Sequence, residues 1–195
     1  MAVDNDRELV SRVLEGDHEA FAALVEQYQQ QVFNLTYRML GDAGEAEDAA
    51  QEAFLRAYQH IDRYDPERPF KTWLLSIASN YCIDRLRKRR LTWLSIDEPL
   101  PPHPALTSKA PGPEDAALLF ERDGAVQELL GDLAADYRAA VILRYWYDMS
   151  YVEIAEALDT TESAIKSRLF RARQMLAQKL EAGHRAGLVV VMESA

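Results

Sequence analysis

Apolar residues recur at three- and four-residue intervals along most of this chain. Phe21, Leu24, Val25, Tyr28, Val32, Leu35 and Met39 form one such series, the spacing that gathers side chains on one face of an α-helix. Gly41 and Gly44 follow it and are expected to stop that helix. A second helix is predicted from about Glu45 to His60, with Ala50, Phe54, Ala57 and Ile61 on one face. Residues 62–69, which hold Pro66 and Pro69, read as a loop. A third helix runs from about Phe70 to Arg90, where the apolar stripe Phe70, Leu74, Ile77 and Tyr81 gives way to Arg85, Arg87, Lys88, Arg89 and Arg90. Four further helices are predicted at Leu118–Leu133, Tyr137–Tyr147, Tyr151–Ala157 and Glu162–Leu180. No β-branched alternation and no internal repeat stand out, so the expected fold class is all-α.

The prolines divide the chain. Besides Pro66 and Pro69, the remaining six lie between Pro99 and Pro113, in a stretch with few apolar anchors that reads as a flexible, extended linker. The expected organisation is a three- to four-helix bundle over residues 1–91, a linker over 92–113, a four-helix domain over 114–183 and a tail over 184–195. With 195 residues and 48% hydrophobic composition, two small domains can each bury a core. No apolar run is long enough to span a bilayer. The acidic start (Asp4, Asp6, Glu8) does not resemble a secretory signal. Cys82 is the only cysteine, which excludes an internal disulfide and a cysteine-rich zinc site. A soluble cytoplasmic protein is expected.

Charge changes the picture once it is divided along the chain. The overall net charge is −10, yet residues 63–91 carry +5 and residues 161–195 carry +3, while residues 1–62 and 92–160 carry −9 each. Two basic islands sit in an acidic body. Phosphate backbones are held by local clusters of Lys and Arg, because screening limits each charge to about 8 Å at physiological salt. The acidic remainder serves solubility or repels non-specific DNA. Basic residues suit a helix C-terminus, but Arg85, Arg87, Lys88, Arg89 and Arg90 exceed what capping requires.

The segment from Tyr151 to Arg173 carries the most specific signal. Ala155 offers a small side chain where two helices approach closely. Asp159 follows at the turn, where a residue tolerant of positive φ is required. Thr160 or Thr161 can cap the next helix, and Glu162 suits its positive end. Ile165, Leu169, Ala172 and Leu176 would face the core, leaving Lys166, Ser167, Phe170, Arg171 and Arg173 outward or on the flank. That division suits a recognition helix in a DNA groove. The alternative is an amphipathic bundle helix with a solvated basic face.

Glu153-Ile-Ala with Ala164-Ile-Lys-Ser-Arg-Leu-Phe-Arg-Ala-Arg173 resembles the promoter-binding region 4 of extracytoplasmic-function sigma factors, a minimal branch of the sigma-70 family. Gly16-Asp-His-Glu-Ala-Phe21, Asp48-Ala-Ala-Gln-Glu-Ala-Phe-Leu-Arg-Ala-Tyr58 and Phe70-Lys-Thr-Trp-Leu-Leu-Ser-Ile-Ala-Ser-Asn80 resemble region 2, in family order. The resemblance spans about residues 7–91 and 114–180. It implies a non-enzymatic initiation factor without cofactor, metal or small-molecule substrate. Its implied partners are core RNA polymerase, promoter DNA and an anti-sigma factor, with no insertion into a membrane.

It also implies residue roles. Asp48, Gln51, Glu52, Leu55 and Arg56 would dock on a coiled coil of the polymerase largest subunit, although the residues alone read first as a solvated helix face. Region 4 would also meet the polymerase flap. Tyr64, Phe70 and Trp73 would capture an unpaired base of the −10 element, with Asn80 reading a base edge. For Phe70 and Trp73 a core role is the open alternative. Arg85, Arg87, Lys88, Arg89 and Arg90 would hold nearby duplex phosphates. Lys166, Ser167, Phe170 and Arg171 would face the −35 element, with Arg171 the first choice for a guanine contact, and Arg168 and Arg173 on phosphates. Asp159 departs from the glycine expected at the turn, and the linker is expected to thread the polymerase active-centre channel.

Other readings remain at this level. A conventional helix-turn-helix regulator would bind duplex DNA alone. An enzyme is poorly supported, since no phosphate loop appears and His18, His60, His103 and His184 lack metal-ligand spacing. Cys82 is either a redox sensor or a buried inert thiol. Leu188–Met192 is a short apolar segment without an assigned role.

Overall fold

A computed structural model describes residues 2–94 and 124–185. The expected linker beyond Leu94, the start of the helix predicted at Leu118, His103 and the Leu188–Met192 segment lie outside the described residues, as does the side chain of His184. Among the described residues eight α-helices follow in order: α1 (Ala2–Leu14), α2 (His18–Leu40), α3 (Ala43–Gln59), α4 (Phe70–Leu94), α5 (124–131), α6 (Ala135–Trp146), α7 (Tyr151–Ala157) and α8 (Glu162–Arg185), with a 3-10 turn at Ile61–Arg63 before α4. Among the described residues there is no strand, as the spacing predicts. No described helix is long and apolar enough to cross a membrane.

The apolar series fixes the packing of the first half. Leu24, Tyr28, Val32, Leu35 and Met39 of α2 are all buried, against Ala49, Ala53, Phe54 and Ala57 of α3 and Leu74, Leu75, Ala78 and Cys82 of α4. The alanine face of α3 lets three helices approach closely around α2. The spacing predicts nothing before Phe21, yet α1 forms and buries Leu9, Val10 and Val13. Apolar residues cluster in its second half, and Leu14 there is exposed, so no regular stripe can be read from the sequence. A buried carboxylate completes the contact: Asp6 accepts hydrogen bonds from Tyr28 Oη at 2.6 Å and Gln27 Nε2 at 2.9 Å. Desolvation, reinforced by that carboxylate, pushes the Tyr28 hydroxyl well above its usual range.

The two glycines after α2 do different things. Gly41 adopts φ +81° and ends the helix, its N–H donating to Tyr37 O at 2.8 Å. Gly44 does not stop anything. Asp42 caps α3 by accepting from Glu45 N at 2.8 Å, so the next helix starts at Ala43 and contains Gly44. A Cβ at position 41 would sit 3.2 Å from Gln127 Nε2 as well as in left-handed backbone. Gly41→Ala is therefore expected to lower unfolding free energy by about 1–2 kcal/mol, measured by urea denaturation.

In the second half, Ile142, Leu143, Ile154, Ile165 and Leu169 are fully buried. The buried side chains of both halves form one continuous core, because α6 packs on α2 and α4, and α7 packs on α4. Arg138 is the buried charge at this junction. It donates to Met39 O of α2 and to Gly131 O and Leu133 O in its own half. Burial lowers its pKa from the ordinary arginine value. Tyr147 Oη reaches across to Gln31 O at 2.6 Å.

Candidate nucleic-acid interface

Helices α7 and α8 meet at the turn the sequence marks. Ser150 and Glu153 form a capping box that starts α7, with Ser150 N 2.8 Å from Glu153 Oε2 and Glu153 N 3.2 Å from Ser150 Oγ. Asp159 takes φ +47°, the left-handed conformation the turn requires. Thr160 N returns to Ala155 O at 2.9 Å, and Thr161 Oγ1 accepts from Ala164 N at 3.2 Å, so Thr161, not Thr160, caps α8. Ile165, Leu169 and Ala172 face the core and Leu176 is half-buried.

Lys166, Ser167, Phe170, Arg171 and Arg173 are exposed on α8. Phe170 is 55% exposed, an apolar ring with no core to explain it. Lys166 pairs with Glu162 at 2.7 Å, an exposed i,i+4 pair that leaves it at the surface. Arg171 Nη1 lies 3.5 Å from Tyr137 Oη. Arg168 differs from its neighbours: it is half-buried and lies 3.8 Å from Asp136 on α6. In this arrangement it faces the protein, not an open groove.

The loop before α4 is built around aromatic rings. Phe70 is 1% exposed, and its ring centroid lies 5.7 Å from Tyr28, 5.5 Å from Tyr64 and 5.6 Å from Trp73. Tyr64 is also buried and donates its hydroxyl to Arg68 O. These two rings, both expected to stack on a base, support the loop from within and present no free face in this structure. The reason is tertiary: α1 covers the loop, with Arg7 Nε donating to Pro66 O at 2.7 Å. Trp73 is half-buried, so one part of its ring remains accessible while the other packs on Tyr64 at 5.3 Å.

The basic end of α4 divides by helical period. Arg85 and Arg89, four residues apart, both turn to Glu45 on α3, Arg85 at 4.0 Å. Arg87 projects elsewhere and donates to Asp136 of α6 at 2.9 Å, and it lies 4.0 Å from Asp84. Lys88 and Arg90 are exposed. Asn80, although exposed, donates through Nδ2 to Ala157 O of α7 at 2.9 Å. The candidate base reader and one of the candidate phosphate contacts are thus engaged by the other half.

On α3, Asp48, Gln51 and Leu55 line one exposed face, with Leu55 51% exposed. Glu52 and Arg56 are half-buried and pair at 2.7 Å, and the Arg56 guanidinium lies 4.7 Å from the Tyr81 ring centroid. An exposed leucine between polar residues is the chemistry of a docking face.

Cys82 is fully buried in the α2–α4 core, and burial pushes its thiol up to about 12. The structure supports an inert thiol. Burial also takes the Tyr147 hydroxyl up to about 12. Both groups hold their protons in the native state more tightly than in the unfolded chain, whose thiol titrates near 9.0. Stability is expected to be intact below about pH 9 and to fall as pH rises towards 12, followed by Tm against pH. Tyr147→Phe should flatten part of that slope. Iodoacetamide at about pH 8 should modify Cys82 only after unfolding.

The sequence pattern did not point to Asp136, Glu45, Gln127 or Arg138. Arg138 carries a readable signal, as a lone charge before the apolar run Ala139–Leu143. Glu45 and Asp136 are polar residues in the first turns of their helices and Gln127 is a half-buried amide, and nothing local distinguishes any of them. Among the described residues, no group of three or more His, Cys, Asp or Glu could hold a metal ion.

Residues 24–92 match the family model of sigma-70 region 2, and residues 123–176 match that of sigma-70 region 4. The chain is 38% identical to the ECF RNA polymerase sigma factor SigW of Bacillus subtilis, over 88% of this chain and 94% of that protein. It is 35% identical to the ECF RNA polymerase sigma-E factor of Escherichia coli, over 90% of this chain and 94% of the relative. Among solved structures, CnrH in complex with the cytosolic domain of CnrY superposes with a TM-score of 0.67 at 26% identity, over 92% of this chain and 99% of that one. The sigma factor RpoE of Bartonella quintana, solved with the anti-sigma factor NepR, shares the fold at a TM-score of 0.61 and 24% identity, over 83% of this chain and 96% of that one.

Proposed function

The chain belongs to the extracytoplasmic-function branch of the sigma-70 family, and on that premise we propose that it directs core RNA polymerase to promoters with two separated elements and helps open the −10 element. The work is non-enzymatic: binding energy places the polymerase and favours an opened strand. Residues 1–91 act as the region 2 domain and 114–183 as the region 4 domain, with 92–113 connecting them. The site of action is the cytoplasm, where the polymerase works.

The observation that carries this reading is the α7–α8 unit. Its turn and caps fix the angle of α8, and its outward row of Lys166, Ser167, Phe170, Arg171 and Arg173 stands clear of the core. In a major groove, Arg171 would donate two hydrogen bonds to one guanine, and Lys166 and Ser167 would reach neighbouring edges. Arg168 and Arg173 would hold phosphates once Arg168 leaves Asp136.

For the −10 element, Trp73 supplies the accessible ring and Asn80 the amide, both on α4, while Phe70 and Tyr64 stiffen the loop that leads into that helix. Arg85, Arg87, Lys88, Arg89 and Arg90 hold the adjoining duplex. The exposed Asp48, Gln51 and Leu55, with Glu52 and Arg56 beside them, form the docking face for the coiled coil of the polymerase largest subunit, and region 4 meets the flap. CnrH was captured with the cytosolic domain of CnrY, and a protein inhibitor, an anti-sigma factor, is proposed for this chain too.

Run-off transcription by core polymerase on a promoter library, with and without the protein, tests this reading. New promoter-specific transcripts are expected only with the protein present. Identical transcripts in both reactions, together with tight duplex binding by the protein alone, would favour an ordinary helix-turn-helix regulator.

A further inference from the structure

Asp6 is the one acidic side chain buried among the described residues, at 4% exposure. Removing a carboxylate from water is costly unless hydrogen bonds offset the lost hydration. It accepts from Tyr28 Oη at 2.6 Å and Gln27 Nε2 at 2.9 Å, and so fixes the Tyr28 ring. That ring meets Phe70 at 5.7 Å between centroids, and Phe70 meets Trp73 at 5.6 Å. Tyr64 closes the group, 5.5 Å from Phe70 and 5.3 Å from Trp73. A continuous series of rings thus runs from the buried carboxylate to the half-buried Trp73.

The next residue on α1 acts on the loop itself. Arg7 Nε donates to Pro66 O at 2.7 Å, and Arg7 Nη2 lies 3.9 Å from Glu67 Oε1. Inside the loop, Tyr64 Oη donates to Arg68 O, and Glu67 N donates to Asp65 Oδ1 at 3.0 Å. The carbonyls on either side of Glu67 are therefore each held by a side chain, one from α1 and one from the ring group. Helix α1 also packs on the 3-10 turn and on α4, the two elements that bound the loop. Leu9, Val10 and Val13 already attach α1 to the core, so its two polar anchors are additional to that attachment.

We propose that Asp6 and Arg7 are positioning residues for capture of the unpaired base: Asp6 orients Trp73 through Tyr28 and Phe70, and Arg7 holds the preceding loop at Pro66 O. The brace rests on the assignment of Trp73 to the −10 element in the proposed function. Neither residue touches a base in this role. Without the carboxylate, the buried Tyr28 hydroxyl loses its acceptor, and its ring turns to find another, displacing Phe70 and then Trp73. A base stacks well on a ring only at a suitable offset and tilt, so a displaced Trp73 captures less and distinguishes bases less.

The test uses the full-length protein labelled with 5-fluorotryptophan, its three tryptophan signals assigned by replacing each with phenylalanine in turn. Asp6→Asn, Tyr28→Phe and Arg7→Ala are each expected to shift the Trp73 fluorine signal and leave that of Trp146 in place. Amide exchange across residues 62–73 should quicken by on the order of tenfold. Tyr28→Phe keeps the ring volume and Arg7 is exposed, so these two variants should fold. Arg7→Lys keeps a donor for Pro66 O and is expected to match the wild type. The complex with core polymerase is then given the non-template strand of a promoter found by run-off transcription, varied one base at a time. The variants should lose about threefold to tenfold in discrimination between bases, the scale of one hydrogen bond, with −35 duplex binding unchanged. An unmoved Trp73 signal with unchanged exchange in all three variants would overturn the brace, as would equal weakening for every base and for the −35 duplex. Fluorine signals and exchange are read without nucleic acid. A Trp73 signal that moves, in a protein whose wild-type complex distinguishes no bases, would therefore uphold the brace and overturn the assignment of Trp73 to the captured base.

Discussion

Phe70→Ala is expected to lower the free energy of unfolding by about 3–5 kcal/mol, seen as a reduced urea midpoint and a lower Tm. The side chain is 1% exposed and packs among Tyr28, Tyr64 and Trp73, so its removal leaves a cavity that three other rings cannot close without moving. A ring whose task was to stack on a flipped base would behave differently. Its loss would spare stability and weaken strand capture by about 1–3 kcal/mol. Phe70→Leu separates the two roles: the buried volume is largely kept, so the fold should survive at a cost below about 1.5 kcal/mol, and promoter opening should survive with it. Trp73→Ala is the informative contrast, since that ring is half-buried and can serve both ends. A result in which Phe70→Leu folds normally but no longer opens promoters would restore Phe70 to the site.

Arg171→Ala is expected to relax discrimination at one −35 position by about 1–3 kcal/mol, a loss of roughly fivefold to 150-fold, measured as binding of the polymerase complex to a set of single-base promoter variants. Arg171 is exposed and its protein contact is a 3.5 Å approach to Tyr137 Oη, so stability should stay within about 0.5 kcal/mol. Arg173→Ala provides the comparison. As a phosphate contact it should weaken all sequences alike and reduce the salt dependence by about one counterion. Equal discrimination in wild type and Arg171→Ala would move base reading to Lys166 or Ser167, the other exposed polar groups of that row.

Much of the site could be read from local chemistry. The turn at Asp159 was legible because only a few residue types tolerate positive φ, and the observed +47° meets that expectation. The inward row Ile165, Leu169 and Ala172 was legible because helical period and hydrophobicity agree, and that agreement left Lys166, Ser167, Phe170, Arg171 and Arg173 outside. The burial of Tyr64 and Phe70 was not legible because an aromatic residue beside a loop has the same local signature whether it covers the loop or supports it. What decided between them was α1, a charged helix whose apolar residues form no regular stripe to announce it.

The sequence by itself determined the helices other than α1, the two basic islands, the helix-turn-helix and the family, because each depends on spacing within a few turns of chain. Only the tertiary structure decided which of the charged groups are available. Arg87 and Arg168 are 81 positions apart and nothing local relates them, yet both meet Asp136. Asn80 meets the end of α7, and Arg138 meets the end of α2. Such pairings are set by how two apolar faces pack, and a hydrogen bond or ion pair formed across that packing leaves no periodic trace in the chain.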